Sequence, residues 1–369
     1  MLSFLYRRWT KMKNRVVIKV GSSSLTADGI IAHDQMEKLT TQIAYLMRKG
    51  FEVVLVSSGA VAAGLGKLGW EREGLLVPQK QAAAAVGQGL LMHRYEQLFQ
   101  CEGINVAQIL LTNEDIADRK RYVNAKNTFQ TLLQNGILPI VNENDTVAVD
   151  EIKFGDNDRL AALVAGVVEA DSLLVLTDID GLYTDHPKHN PEAKKLDVVD
   201  IIDESIQQMA KGAGTKAGTG GMITKIEAAR IATLSGATTY IAKGSIPWVL
   251  KKIFLEHENI GTKFLPAQKT LKNRMQWLAF ASKPLGKIFV DHGAEHAIYH
   301  DNKSLLAAGV KEIKGDFCSG NVIEICSESG KELGKGVVSI SSAEIKGILE
   351  QEIRPKGIIV IHKNDLFIH

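Results

Sequence analysis

The chain has 369 residues, enough for about two domains with hydrophobic cores of their own. Its 44 Lys and Arg stand against 42 Asp and Glu, and the formal net charge of +2 gives no argument for a nucleic-acid or membrane partner. With 45% apolar and 23% charged residues the composition is that of an ordinary globular protein, and no apolar run approaches the roughly 18 residues of a membrane span.

The first residues, MLSFLYRRWTKMKN, are basic, but the apolar stretch at 2–6 is too short for a secretory signal. We expect an extra stretch ahead of a start near Met12. From Arg15 to about Gly261, short β-branched runs alternate with longer amphipathic stretches. The runs at 16–20, 53–56, 106–111, 137–141, 173–176 and 238–241 predict strands. The stretches at 34–49, 79–100, 119–135, 158–169 and 224–235 predict helices. Continuously apolar strands, each followed by a helix, predict an α/β fold with a mostly parallel sheet sandwiched by helices. Ligands in such folds bind beyond the carboxyl ends of the strands.

After about Pro284 the strands become short and glycine-punctuated, at 287–291, 321–326, 332–339 and 357–362, with brief helical pieces at 294–299 and 343–349. This predicts a second, small, mainly-β, barrel-like domain. We expect a first domain over 13–267, a linker over 268–283 and the second domain over 284–363. Cys101, Cys318 and Cys326 are odd in number and show no C-x-x-C spacing, as reduced thiols of a cytoplasmic protein would be.

The strongest local signal is Gly218-Thr219-Gly220-Gly221-Met222-Ile223-Thr224-Lys225, a glycine-rich turn running into a predicted helix. Glycines let the backbone approach a bulky anion, and the helix start offers unpaired N–H groups and a positive dipole end. It does not match the G-x-x-x-x-G-K-[ST] phosphate loop, and a plain glycine turn capping a surface helix has the same look. Four strand ends add polar residues. Lys19-Val20-Gly21-Ser22 offers a cation, close backbone approach and hydroxyls, or a solvated lysine beside a turn. Ser57-Ser58-Gly59 reads as a site or as a helix N-cap. Asn142-Glu143-Asn144-Asp145, with Gly155-Asp156-Asn157-Asp158 after it, could hold an ammonium or cations, or be a polar loop leading into a helix. Thr177-Asp178 opens into the turn at Gly181 and could face a nucleotide or cap that turn. Gly64-Leu65-Gly66-Lys67-Leu68-Gly69 matches G-x-G-x-x-G only by chance, because it follows a helical stretch instead of opening one after a strand. No H-E-x-x-H signature is present, and no histidine is assigned to a metal.

In order and spacing, IKVGSSSL, VSSGAVAAG, KQAAAAVGQ, LPIVNENDTV, KFGDNDRLAALVA, LLTDIDGLYTDHP and GTGGMITKIEAA closely resemble the glutamate 5-kinases of the amino-acid kinase family. IFVDHGAEHAI and SLLAAGVKEIKGDFCSGNVIEI resemble a PUA domain, which follows the kinase domain in the bacterial members, so the resemblance covers over nine-tenths of the chain. One departure lies at 336–341, where an aromatic residue would be usual.

The resemblance implies transfer of the ATP γ-phosphoryl group to the side-chain carboxylate of L-glutamate, the first step toward proline. It implies catalytic roles for Lys19 and Lys225, oriented by Asp158, and glutamate binding by Ser58, Asp145 and Asn157. It implies nucleotide binding by Lys19, Thr177, Asp178, Thr219, Gly220, Gly221, Met222, Ile223, Thr224 and Lys225, with Mg2+ bridging ATP oxygens. Inhibition by proline and a homodimeric or homotetrameric state are further expectations from the family. PUA domains also occur in RNA-modifying enzymes. Residues 284–369 hold ten Lys and Arg against twelve Asp and Glu, a balance that disfavours RNA as a partner while leaving room for a local patch.

Overall fold

The structure is a computed structural model describing residues 14–22, 25–27, 30–71, 73–148, 157–185, 190–212, 221–268, 270–271, 273–351 and 357–369. The expectation for the first twelve residues therefore lies outside what is described. The chain divides into two units, residues 1–112 with 124–270, and residues 113–123 with 271–369.

The first unit is organised by a strand buried on both faces. All six residues of β1 (Arg15–Val20) are buried, as a β-branched run at the centre of a covered sheet should be. It pairs in parallel with β2 (Glu52–Ser57) on one side and β5 (Ser172–Thr177) on the other. Outward from β2 lie β4 (Leu138–Glu143) and β3 (Val106–Leu111), and outward from β5 lie β7 (Thr238–Lys243), β8 (Thr262–Phe264) and β6 (Val198–Val199). Only β7 and β8 run antiparallel among the described pairings of this eight-stranded sheet. All six runs predicted as strands are strands of it, and the expected mostly parallel sheet is present.

Helices α1 (His33–Arg48), α3 (Val77–Cys101) and α8 (Val249–Phe254) cover one face. There Val16, Ile18 and Val20 pack with Met36, Ile43, Leu91, Tyr95, Phe99 and Leu250. Lys19, of opposite parity along β1, faces α5 (Asp158–Val167) instead. Every residue of α5 but Arg159 is buried, consistent with its run of small and branched apolar residues. Helices α4 (Arg119–Gln134), α6 (Glu204–Gly212) and α7 (Met222–Leu234) complete the set. The chance glycine match at 64–69 lies inside and at the end of α2 (Ala60–Leu68). Its Gly64 has a packing role: a Cβ there would run into the Ala83 carbonyl of α3, and one on Gly87 would meet the Ala60 carbonyl. The two helices touch backbone to backbone.

The second unit contains a five-stranded sheet ordered β10 (Val310–Lys314), β9 (Lys287–Val290), β11 (Val322–Ser327), β12 (Glu332–Val337) and β13 (Leu366–Ile368). Its core gathers Ile288, Val290, Ile323, Ile325, Val360 and Ile361 under α9 (His292–Tyr299) and α10 (Ser342–Leu349). The predicted strands at 287–291, 321–326, 332–339 and 357–362 are present within a few residues. Three more are additions: β10, β13 and the short strand Leu305–Leu306, which pairs with Ile359–Ile361. The strand β10 reads Val-Lys-Glu-Ile-Lys, too charged to stand out as an apolar run, and it occupies an edge. Residues 273–281 are helical, first α and then π, with Trp277 and Leu278 buried. The Trp277 indole N–H donates to the carbonyls of Ile116 and Ala117, 3.1 Å from each, and Arg119 lies over the Tyr122 and Trp277 rings. Residues 113–123 join this unit through those contacts.

Candidate active site

The carboxyl ends of β1, β2, β4, β5 and β7 carry the polar residues singled out above, and the parallel register brings them to one edge of the sheet. Lys19 is adjacent to Val56 and Val175 across β1, and Lys243 is opposite Thr177. Three elements then meet at one carboxylate. Lys19 of β1 places Nζ 2.7 Å from Oδ1 of Asp158, the first residue of α5. Lys225, one turn into α7, places Nζ 3.1 Å from Oδ2 of the same residue. Thr224 donates its hydroxyl to that oxygen at 3.0 Å. The two lysines are 3% and 6% exposed and Asp158 is fully buried, so water screens this triad little. One carboxylate thus holds two buried ammoniums at the amino end of a helix.

Beside it lies a second polar network. The carboxamide nitrogen of Asn157 is 3.1 Å from the Ser57 carbonyl, 3.1 Å from Ser58 Oγ and 2.8 Å from Asn142 Oδ1. A carbonyl oxygen only accepts, so the NH2 end of Asn157 must point that way. Its Oδ1 is thereby left buried with no hydrogen-bond donor among the described residues. A buried acceptor without a partner costs stability, and one at a ligand site is ready for a donor from outside. Asn142 in turn donates to Gln88, and Ser57 shares a 2.9 Å hydrogen bond with the buried Tyr95 hydroxyl. Gln88 and Tyr95 lie seven residues apart on α3, so they share a face of that helix.

Asp145 is half-buried just past β4, two residues from the buried Glu143. Burial foremost, and the Glu143 charge after it, push its carboxyl up from 3.8 to about 7. On the other side of the edge, Thr177 donates to Asp178 at 3.0 Å. Both line a cleft of about 920 Å3 with Lys38, Lys243 and Trp248, within the size range of small-molecule sites. Gly221 caps α7 in an extended conformation, and its carbonyl accepts from Thr224 at 2.8 Å. Met222 is buried and Ile223 exposed. Thr219 and Gly220 lie outside the described residues.

The structure therefore joins Lys19, Asp158, Thr224 and Lys225 in one cluster and Ser58 and Asn157 in another, with Asp158 following Asn157 directly. Gln88 and Tyr95 are the members that the strand-end pattern does not single out. Their only sequence signal is the seven-residue spacing on a long helix.

A model of the amino acid kinase family matches residues 14–243, and a PUA-domain model matches 286–363. This chain belongs to the amino acid kinase family. A glutamate 5-kinase of Thermoanaerobacter sp. is 47% identical over 365 residues, covering 96% of this chain and 97% of its own. One of Caldanaerobacter subterraneus is 49% identical over 335 residues, covering 90% of each. Among solved structures, a carbamate kinase from Giardia lamblia bound to AMP-PNP aligns over 69% of this chain and 99% of its own. Its TM-score is 0.50 at 19% identity, a likeness of fold. No helix among the described residues is long and apolar enough to cross a membrane.

Proposed function

We propose that the protein transfers the γ-phosphoryl group of ATP to the side-chain carboxylate of L-glutamate, giving glutamyl 5-phosphate and ADP, the first step toward proline. The observation that carries this reading is the pair of buried ammoniums held on the two oxygens of Asp158. A glutamate side chain has a pKa near ~4.3 and is ionised at neutral pH, so the reaction needs no general base. Its obstacle is repulsion between two anions, and positioned cations answer it. An ammonium about 4 Å from the transferring group contributes on the order of 4 kcal/mol at an effective dielectric near 20. Asp158 aims both lysines.

We assign the glutamate backbone to the Asn157 side of the edge. The α-ammonium would donate to Asn157 Oδ1 and pair with Asp145, and Ser58 would meet a carboxylate oxygen. Proline carries the same α-carboxylate and a secondary ammonium, so it would compete at these residues. The nucleotide belongs at Thr177, Asp178 and the start of α7, where backbone N–H groups and the helix dipole favour phosphate. The donor set fits Mg2+ held chiefly by phosphate oxygens and water: Asp158 is committed to two ammoniums, and Asp178 offers a carboxylate at that strand end. The ion would neutralise phosphate charge. The catalytic work is expected of residues 13–267, with 284–363 as the appended PUA domain.

The test is ATP consumption with L-glutamate against N-acetylglutamate and L-aspartate. Turnover confined to glutamate supports the assignment. A preference for either alternative would make the protein a different amino-acid kinase.

A further inference from the structure

No histidine is assigned to a metal from the sequence, yet His292, His296 and His300 recur every fourth residue along α9 and its C-cap. That spacing places them on one stripe of a helix. Asp291 caps the start by accepting from the Ala294 N–H at 2.7 Å, and the His300 N–H closes the last turn on the His296 carbonyl at 2.9 Å. The backbone carrying these side chains is thus fixed at both ends.

The three imidazoles differ in surroundings. His292 sits 3.7 Å from a Glu295 oxygen and 3.9 Å from a Glu328 oxygen. His296 and His300 make no ion pair among the described residues. Both are exposed, and their ring centroids lie 4.7 Å apart with planes tilted by 44°.

That separation permits two ligands to a single ion once a nitrogen of each ring turns toward it. A metal about 2.0–2.1 Å from an imidazole nitrogen lies roughly 3.2 Å from that ring's centroid. Centroids 4.7 Å apart then subtend roughly 95° at such an ion, close to the cis angle of tetragonal coordination and well short of tetrahedral. The pair also sits at the carboxyl end of the helix, where the helix dipole favours a cation. Asp301, the next residue, is held 3.0 Å from Lys303.

We propose that the last turn of α9 binds a late first-row divalent cation, copper(II) before nickel(II), through His296 and His300 as adjacent ligands. Water completes the coordination. The near-right angle and the two nitrogen donors select these ions over zinc, whose preference is tetrahedral, and over magnesium, whose preference is oxygen. The site uses none of the residues assigned to phosphoryl transfer.

Titration of the full chain with copper(II) chloride, followed by electron paramagnetic resonance, tests this directly. One tightly held equivalent with hyperfine structure from two nitrogens is expected. His296→Ala and His300→Ala should each abolish it. His292→Ala should leave it in place, and so should His33→Ala, which removes the imidazole from the exposed His33–Asp34–Glu37 group. Nickel(II) should bind the same residues more weakly. All four positions are exposed, so the variants should fold, and unchanged circular dichroism would verify it. An unaltered copper signal in the His296→Ala/His300→Ala double variant would overturn the proposal, as would its loss in His292→Ala or His33→Ala alone.

Discussion

Lys19 and Asp158 meet at 2.7 Å with side chains 4% and 0% exposed, one contributed by the central strand and the other by the first residue of the helix behind it. The strand fixes the lysine and the helix fixes the acid, so the pair is positioned before any ligand arrives. Replacing Lys19 or Lys225 by Ala should lower kcat by roughly 100-fold or more, because each removes a donor aimed at developing charge. Asp158→Asn should also destabilise the fold, by about 3–5 kcal/mol, because it removes the buried carboxylate that both buried ammoniums share. Steady-state kinetics and urea denaturation would check the two effects separately.

Asp145 makes the site sensitive to pH. With its carboxyl lifted to about 7 by burial and by Glu143, it is largely protonated in the empty site below that pH and cannot pair with an ammonium. We expect kcat/KM for glutamate to rise with pH through about 7, and Asp145→Asn to flatten that rise while increasing the glutamate KM and sparing that of ATP. Stability runs the other way. The folded state holds this proton more tightly than the unfolded chain, so the stability Asp145 contributes is complete below 3.8 and lost as pH rises through about 7. Without glutamate, the Tm of the parent protein should fall relative to Asp145→Asn between about pH 4 and 7 and level off above that.

Tyr95→Phe keeps the ring in the core and deletes one hydroxyl. The buried Ser57 hydroxyl already donates to the Ser58 carbonyl, so it would lose its donor from Tyr95. A cost of about 1–3 kcal/mol is expected, with a raised glutamate KM because Ser57 and Ser58 anchor Asn157. Chemical denaturation and glutamate kinetics on the same variant would check both.

Gly64→Ala and Gly87→Ala would each drive a Cβ into a backbone carbonyl of the facing helix. A backbone contact cannot be relieved by a rotamer change. We expect losses of about 1–3 kcal/mol, readable as a fall in Tm, with the parent sequence more stable than either variant.

Fragments ending at Pro266 and at Ser282 should behave differently, although every residue assigned to chemistry precedes both cuts. The shorter one removes Trp277 from the Ile116 and Ala117 carbonyls and from Arg119. Lower solubility and earlier thermal unfolding are expected of it, and light scattering on the two fragments would show them.

Most of the first unit is legible in the sequence for a simple physical reason. Strands covered on both faces must be apolar throughout, and runs such as 173–176 can be little else. The strand ends are legible for the same reason, since a polar residue there interrupts an obligatory pattern. The pattern does not tell which strand end faces which helix, so the hydrogen bonds from Gln88 and Tyr95 to the Asn157 network escape it. Nor does local sequence reveal β10, whose charges suit an edge. The attachment of 113–123 to the second unit is invisible as well, because it depends on a tryptophan more than 150 residues away. His292, His296 and His300 show the opposite failure, a spacing plain in the sequence and passed over.

The membership of residues 113–123 in the second unit has a consequence for the order in which the protein is made. That segment leaves the ribosome about 150 residues before the first residue of its partner stretch. At about 5–20 residues per second, roughly ten to thirty seconds separate the synthesis of Ile116 from that of Trp277. The second unit cannot assemble as its own residues emerge; it must recruit a piece laid down while the first sheet was still missing half its strands. A nascent chain stalled before residue 271 would therefore leave the Ile116 and Ala117 carbonyls and Arg119 without Trp277, an exposure that lasts only as long as translation.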